Sequence, residues 1–272
     1  MRPWARAAVY LLVGVSVLVV LFPLLWMLAA ALKTNGEIID PNASLFPTDP
    51  QWSNIVDAWN AAPFGRFFLN TAIFSVITTA GQIATGMLAG YAFAMYDFPG
   101  KRVLFYVALS GLMIPFTVVL VPVVQLLADV SWVNTYQGLI VPNLASALGC
   151  FLYRQFFLSV PLELGEAARI DGASEWRIFL RVYRPLAQPM TAAFMIIAFL
   201  QNWNNFLFPL VVTSSEKLMM VSQGLTIFSG QISKVSYNLL MAGSLIAVVP
   251  VLIVAMIAQR RVVEGLALGA VR

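Results

Sequence analysis

The chain has 272 residues, of which 60% are hydrophobic and 10% charged, and its mean hydropathy of +0.85 excludes a soluble domain, because several apolar runs are long enough to span a bilayer. Sixteen Lys and Arg against twelve Asp and Glu give a net charge of +4. There is no histidine, and the single Cys150 lies inside an apolar run, so no metal cluster and no internal disulfide is expected.

Arg2 and Arg6 precede an apolar run over 7–32, enough for about 39 Å of helix against a hydrocarbon core of about 30 Å. The run is too long for a signal peptide and no clear small-residue cleavage site follows, so it reads as the first membrane helix. Residues 33–66 are rich in Pro, Asn and Asp and carry Trp52 and Trp59, which suit a membrane interface; short surface helices are predicted there. The second span is 67–95, where Gly86 and Gly90 offer a small-xxx-small spacing for close helix contact. After a short loop with Lys101 and Arg102, a third span covers 103–127, with kinks predicted at Pro115 and Pro122. A fourth span covers 139–158, a fifth 190–212 and a sixth 239–259, leaving a tail from Arg260 to Arg272. The fold class is therefore an all-α polytopic membrane protein, one transmembrane domain over 1–272.

Between the fourth and fifth spans, residues 159–189 hold the densest charge in the chain. Leu162 to Ile170 predicts one short helix, which Asp171-Gly172 ends with turn chemistry. Ser174 is placed to cap a second helix, in which Trp176, Phe179, Leu180 and Tyr183 form an apolar stripe and Arg177, Arg181 and Arg184 align at i, i+4, i+7. Pro185 and Pro189 are expected to stop it. On the first helix Leu164, Ala167, Ala168 and Asp171 share one side, nearly flat, while Glu163 and Glu166 share another. An interfacial amphipathic loop accounts for the arginines but not for the paired small residues, the acidic side or the turn.

Six spans put both ends and this loop on one side. Twelve of the sixteen basic residues fall there; Lys33, Arg66, Lys217 and Lys234 fall on the other. The positive-inside rule then makes the loop and both termini cytoplasmic. The same distribution absorbs the net charge and leaves no basic patch for nucleic acid. No G-x-x-x-x-G-K-[ST] phosphate loop occurs, and apart from Arg154 near the cytoplasmic end of the fourth span no Asp, Glu, Lys or Arg falls inside a span. That argues against an ion-coupled carrier and for an engine outside the chain. A nucleophile and base pair for intramembrane catalysis is likewise missing, so no catalytic residue is assigned; a passive channel subunit and a membrane scaffold remain the rivals from other classes.

The fifth span contains Gln201, Asn202, Trp203, Asn204 and Asn205. Neutral amides beside an indole suit a neutral polyhydroxyl ligand. Equally, amides bond neighbouring helices. Both readings stay open.

Glu166-Ala167-Ala168, three residues, Gly172, nine residues and then Val182-Tyr183-Arg184-Pro185 closely resemble the EAA loop of bacterial ABC importer permeases. The resemblance implies a type I importer permease fold with a coupling-helix pair that docks into a cytoplasmic ATPase subunit. The residues carried over are Glu163, Glu166, Ala167, Ala168, Asp171, Gly172, Ala173, Trp176 and Pro185; Arg184 stands where the family usually has leucine. Trp203 to Leu210 is similar to the fifth-helix signature of sugar-type importer permeases, which narrows the class towards uptake of a sugar or sugar derivative, with Gln201 to Asn205 as the candidate substrate pathway. Pro142 to Ala147 with Phe151 to Phe157 is similar to permeases for glycerol 3-phosphate and related polyol esters, the nearer competitor for substrate.

Gly224 to Tyr237 corresponds to the last external loop, implying binding-protein contacts at Gly230, Gln231, Ser233 and Tyr237. Gln259, Arg260, Arg261, Glu264 and Gly265 resemble the family's ATPase-contacting tail. The implied partners are a second homologous permease in a heterodimer, two ATPase subunits, an extracytoplasmic solute-binding protein and membrane lipid. ATP and Mg would be held by the ATPase, with no cofactor on this chain. The implied setting is the bacterial cytoplasmic membrane.

Overall fold

The structure, a computed structural model, describes residues 3–229 and 235–269; of 3, 5, 7, 8 and 258–269 it describes the backbone only. Among the described residues there is helix and no strand. The helices are α1 Pro3–Ala31, α2 Asn35–Ile39, α3 Ser53–Asn60, α4 Phe64–Met95, α5 Lys101–Met113, α6 Phe116–Asp129, α7 Tyr136–Ile140, α8 Ala147–Leu158, α9 Glu163–Ile170, α10 Glu175–Ile178, α11 Arg184–Leu186, α12 Gln188–Trp203, α13 Leu207–Val212, α14 Val221–Gly224 and α15 Tyr237–Gly269. The chain forms two compact units, Met1–Arg66 with Val221–Val249, and Phe67–Met220 with Pro250–Arg272.

Three helices are long and apolar enough to cross a membrane, within 9–31, 64–95 and 237–257. The predicted third span is not continuous. Ile114, forced to extended dihedrals by the proline that follows, and Pro115 separate α5 from α6, which are bent by 104°. Pro122, by contrast, lies inside α6 without ending it. The predicted fourth span is also built of pieces, with α7, a 3₁₀ turn Val141–Asn143 and α8. The fifth breaks between α12 and α13 at 204–206.

In the first unit, the buried end of α1 is closed by Asn54. Its Nδ2 donates to the carbonyls of Ala31 at 2.9 Å and Lys33 at 2.8 Å, satisfying acceptors that a helix end leaves open. Asn238 Nδ2 donates to Asn54 Oδ1 at 2.9 Å, and Phe64 stacks on Phe228 at 5.8 Å. Lys33 is 3% exposed; its ammonium donates to the Ser44 carbonyl and lies 5.6 Å from the Trp26 ring centroid.

The second unit is tied by glycines. A Cβ on Gly90 would stand 2.6 Å from Tyr153 Cβ and 2.7 Å from Arg154 N, and one on Gly86 would stand 3.0 Å from the Gly149 carbonyl carbon. The small-xxx-small pair of α4 thus meets the backbone of α8. One core joins Met87 and Tyr91 of α4, Tyr153 and Phe157 of α8, Ile178, Phe179 and Tyr183, and Phe194 and Ala198 of α12.

Candidate functional site

The charged segment folds as a corner in the second unit. Helix α9 ends in a Schellman closure, in which the Gly172 N–H donates to the Arg169 carbonyl and the Ala173 N–H to the Ala168 carbonyl, both at 3.0 Å. Gly172 takes φ +79°, where a side chain would be strained although no atom lies within 4 Å of its Cβ position. Ser174 holds the extended dihedrals of an N-cap, but its hydroxyl makes no cap bond. Pro185 does not stop the second helix. Helix α10 passes into a π turn, Phe179–Tyr183, whose wider i to i+5 closure (Arg184 N–H to the Phe179 carbonyl) shifts the register before Pro185, and Pro185 and Pro189 both sit in the first turns of α11 and α12, where a missing N–H is harmless.

The corner presents one face and anchors the other. Glu163, Glu166, Ala167, Asp171, Gly172, Trp176 and Pro185 are exposed, with Ile170 at 87% and Trp176 at 60%, while Ala168 and Ala173 are half-buried against the core. Trp176 stacks on Phe179, and Tyr91 of α4 lies 4.9 Å from the Phe179 ring and 5.1 Å from the Tyr183 ring. The predicted stripe therefore divides: Phe179 and Tyr183 are core, while Trp176 and Leu180 reach solvent. Gly165 is buried beneath the Tyr183 phenol, whose oxygen is 2.5 Å from where a Cβ would be.

A polar clasp crosses the corner. Arg169 Nε donates to Glu175 Oε1 at 2.6 Å and its Nη2 to Oε2 at 3.1 Å; Tyr96 OH, one residue past α4, donates to Oε2 at 2.8 Å. The guanidinium, then the Tyr96 hydroxyl, hold the Glu175 carboxyl below its ordinary range, and the carboxylate in turn raises the Arg169 value. Burial, then the same carboxylate, pushes the Tyr96 phenol up. In the sequence, Arg169 and Glu175 are simply two of the charges of the segment 159–189. The signal was present, since opposite charges six apart across an Asp-Gly turn are brought back together.

The amide set splits. Asn202 is buried, and its Nδ2 donates to Thr79 Oγ1 at 3.0 Å and Gln82 Oε1 at 3.1 Å on α4. Trp203 is buried and stacks on Phe199. Gln201 and Asn204 are exposed, Asn205 is half-buried, and Asn204 Nδ2 donates back to the Leu200 carbonyl. For Asn202 the helix-bonding reading holds. The polar side of α4 carries no mark in the sequence pattern: Asn70, Thr71, Ser75, Thr78 and Thr79 are all buried, and Asn70 accepts from Tyr136 OH at 2.6 Å.

Gly230, Gln231 and Ser233 lie outside the described residues. Tyr237 begins α15 and is partly exposed; Asn35 brackets it, with Oδ1 accepting the Tyr237 N–H at 2.8 Å and Nδ2 donating to the Val235 carbonyl at 3.0 Å. Gln259, Arg260, Arg261, Glu264 and Gly265 continue the backbone of α15, and their side chains lie outside the described part.

Residues 82–267 match the family described as binding-protein-dependent transport system inner membrane component. The sn-glycerol-3-phosphate transport system permease protein UgpE of Pectobacterium atrosepticum is 37% identical over 93% of this chain and 92% of its own length. The diacetylchitobiose uptake system permease protein NgcG of Streptomyces coelicolor is 37% identical over 100% of this chain and 90% of its own. In fold the chain is similar to a subunit in the crystal structure of a bacterial ABC transporter involved in the import of the acidic polysaccharide alginate, with a TM-score of 0.80 and 20% identity over 94% of this chain and 95% of that one.

Proposed function

Because this chain belongs to the family of binding-protein-dependent transport system inner membrane components, and is a non-catalytic permease subunit of an ABC importer, we propose that it forms half of a pore that an external ATPase works through the corner over 159–189. The observation that carries this is the two-sided build of the corner. Its outer side offers Ile170, Trp176 and the small residues to a partner. Its inner side is locked into α4, α8 and α12 through the shared aromatic core and the Tyr96–Glu175–Arg169 clasp. A push on the outer side therefore moves three helices together rather than bending a loop.

In this reading the chain crosses the membrane six times as one domain, with both termini and the corner cytoplasmic; the broken helices α5–α6 and α12–α13 serve as single crossings. The partners are a second related permease, two ATPase subunits that hold ATP and Mg, and an external solute-binding protein that meets the segment 230–237. The solute passes Gln201, Asn204 and Asn205, while Asn202 and Trp203 hold that helix against its neighbours. The tail from Gln259 to Gly265 touches the ATPase.

Two relatives support two solute classes: a chitooligosaccharide-type sugar, through the relative named for diacetylchitobiose, and a polyol phosphoester, through the relative named for sn-glycerol 3-phosphate. Calorimetry of the cognate solute-binding protein with each class decides between them. The docking claim is tested by Ile170→Arg: the ATPase subunits should no longer co-purify with the permease. Retention of the full complement of ATPase would remove the corner as the docking face.

A further inference from the structure

A cleft of about 400 Å³ opens beside the first turn of α5, lined by Asp97, Lys101, Arg102, Phe105, Tyr106 and Arg154 among others. Its cations outnumber its anions by two. Asp97 is already engaged by Lys101 at 3.1 Å, so Arg102 and Arg154 carry the excess, and neither has a carboxylate partner among the described residues. Arg154 is held from behind, its guanidinium lying 4.2 Å from the Phe105 ring centroid and its Nε donating to the Phe93 carbonyl at 3.3 Å, and the side chain lines the cleft.

From this cleft an apolar wall runs along α5, where Val103, Leu104, Tyr106 and Val107 are each more than half exposed. Cations at a helix start, a tyrosine at the rim and an aliphatic face beyond form the profile of a lipid, not of a soluble anion. We propose that this cleft binds the phosphodiester of an anionic phospholipid, with its acyl chains along α5. Tyr96 joins the clasp and Asp97 lines the cleft, so the headgroup would sit next to the corner.

The inference rests on the membrane-spanning arrangement proposed above. The test uses the complete importer assembly in nanodiscs of phosphatidylcholine containing a minor fraction of photoactivatable phosphatidylglycerol, with cross-linked peptides mapped by mass spectrometry. Labelling should concentrate on residues 97–107. Arg102→Gln should lower it about fivefold and Arg102→Gln with Arg154→Gln about 25-fold, at roughly one phosphate contact per arginine, while Arg154→Lys retains most of it. Inorganic phosphate in excess should not displace the label; displacement would identify the ligand as a free phosphate and overturn the lipid assignment. Equal labelling of the double variant and the unaltered assembly would also overturn it. Should the Arg154 variant fail to assemble, the exposed Arg102 variant alone decides. Labelling that spares 97–107 but persists on other helices would refute the site while leaving the membrane arrangement standing; no labelling anywhere would count against both.

Discussion

Replacing Gly90 by alanine probes the contact on which the second unit is built. The added Cβ would stand 2.6 Å from Tyr153 Cβ and 2.9 Å from the Tyr153 carbonyl carbon. Carbon contacts are comfortable from about 3.5 Å, so α4 and α8 would have to separate by roughly 0.9 Å along the shared seam. Two of the three nearest atoms are backbone and no rotamer can relieve them, so the cost is that of overpacking, about 1–3 kcal/mol. Alanine also favours a helix over glycine by up to about 1 kcal/mol, which would blur a single measurement.

Gly111→Ala supplies the comparison, because a Cβ there would meet only Ala147 Cβ at 3.6 Å, an ordinary contact. Both substitutions gain the same helix preference, so the difference between them isolates the seam. Thermal unfolding of the detergent-solubilised assembly should show the Gly90 variant below the Gly111 variant by about 2–4 °C for each kcal/mol. Coincident midpoints would refute the claim that α4 and α8 meet backbone to backbone at Gly90.

Asn202→Leu should lower stability by about 0.6–1.7 kcal/mol, the range for interhelical hydrogen bonds, through loss of the Thr79 and Gln82 partners; measured uptake should keep its solute preference. Gln201→Ala and Asn204→Ala should instead reduce uptake with little change in unfolding temperature. Glu175→Gln removes the anion that Arg169 and Tyr96 share, and stimulated ATP hydrolysis should fall while basal hydrolysis is kept. The clasp also fixes a pH dependence. A carboxyl held below its ordinary value of about 4.3 contributes fully above that value, and the contribution is lost as pH falls through the lowered one. Stimulated hydrolysis should therefore show no step assignable to Glu175 between about pH 5 and pH 8.

Much of the architecture is legible in the sequence, for physical reasons that can be named. The apolar runs of α1, α4 and α15 exceed a bilayer's thickness, and Asp171-Gly172 offers the one local conformation that closes α9. Gly86 and Gly90 were readable as a close contact, though not their partner, since spacing alone does not say which helix arrives. The prolines read unevenly: the kink expected at Pro115 is present, and the stop expected at Pro185 is not. Pro115 ends a helix because the residue before it is driven to extended dihedrals, whereas Pro185 is absorbed because a π turn ahead of it has already shifted the hydrogen bonds. Asn202 shows the limit for the site itself. An amide in an apolar helix announces that it needs a partner, and only the fold reveals that Thr79 and Gln82 supply one. The Tyr96–Glu175–Arg169 clasp joins residues 79 apart through tertiary packing, beyond any local pattern.

The central claim, that the corner over 159–189 transmits an external motor's stroke, is met most directly at Gly172. Gly172→Leu has open space for its side chain but forces a left-handed backbone that costs a non-glycine residue about 1–2 kcal/mol, so it turns the corner without filling it. In proteoliposomes containing the assembled importer, solute-binding-protein-stimulated ATP hydrolysis and solute uptake should both collapse while the permease still inserts and stays assembled. Uptake and stimulation at the level of the unaltered protein would contradict the account.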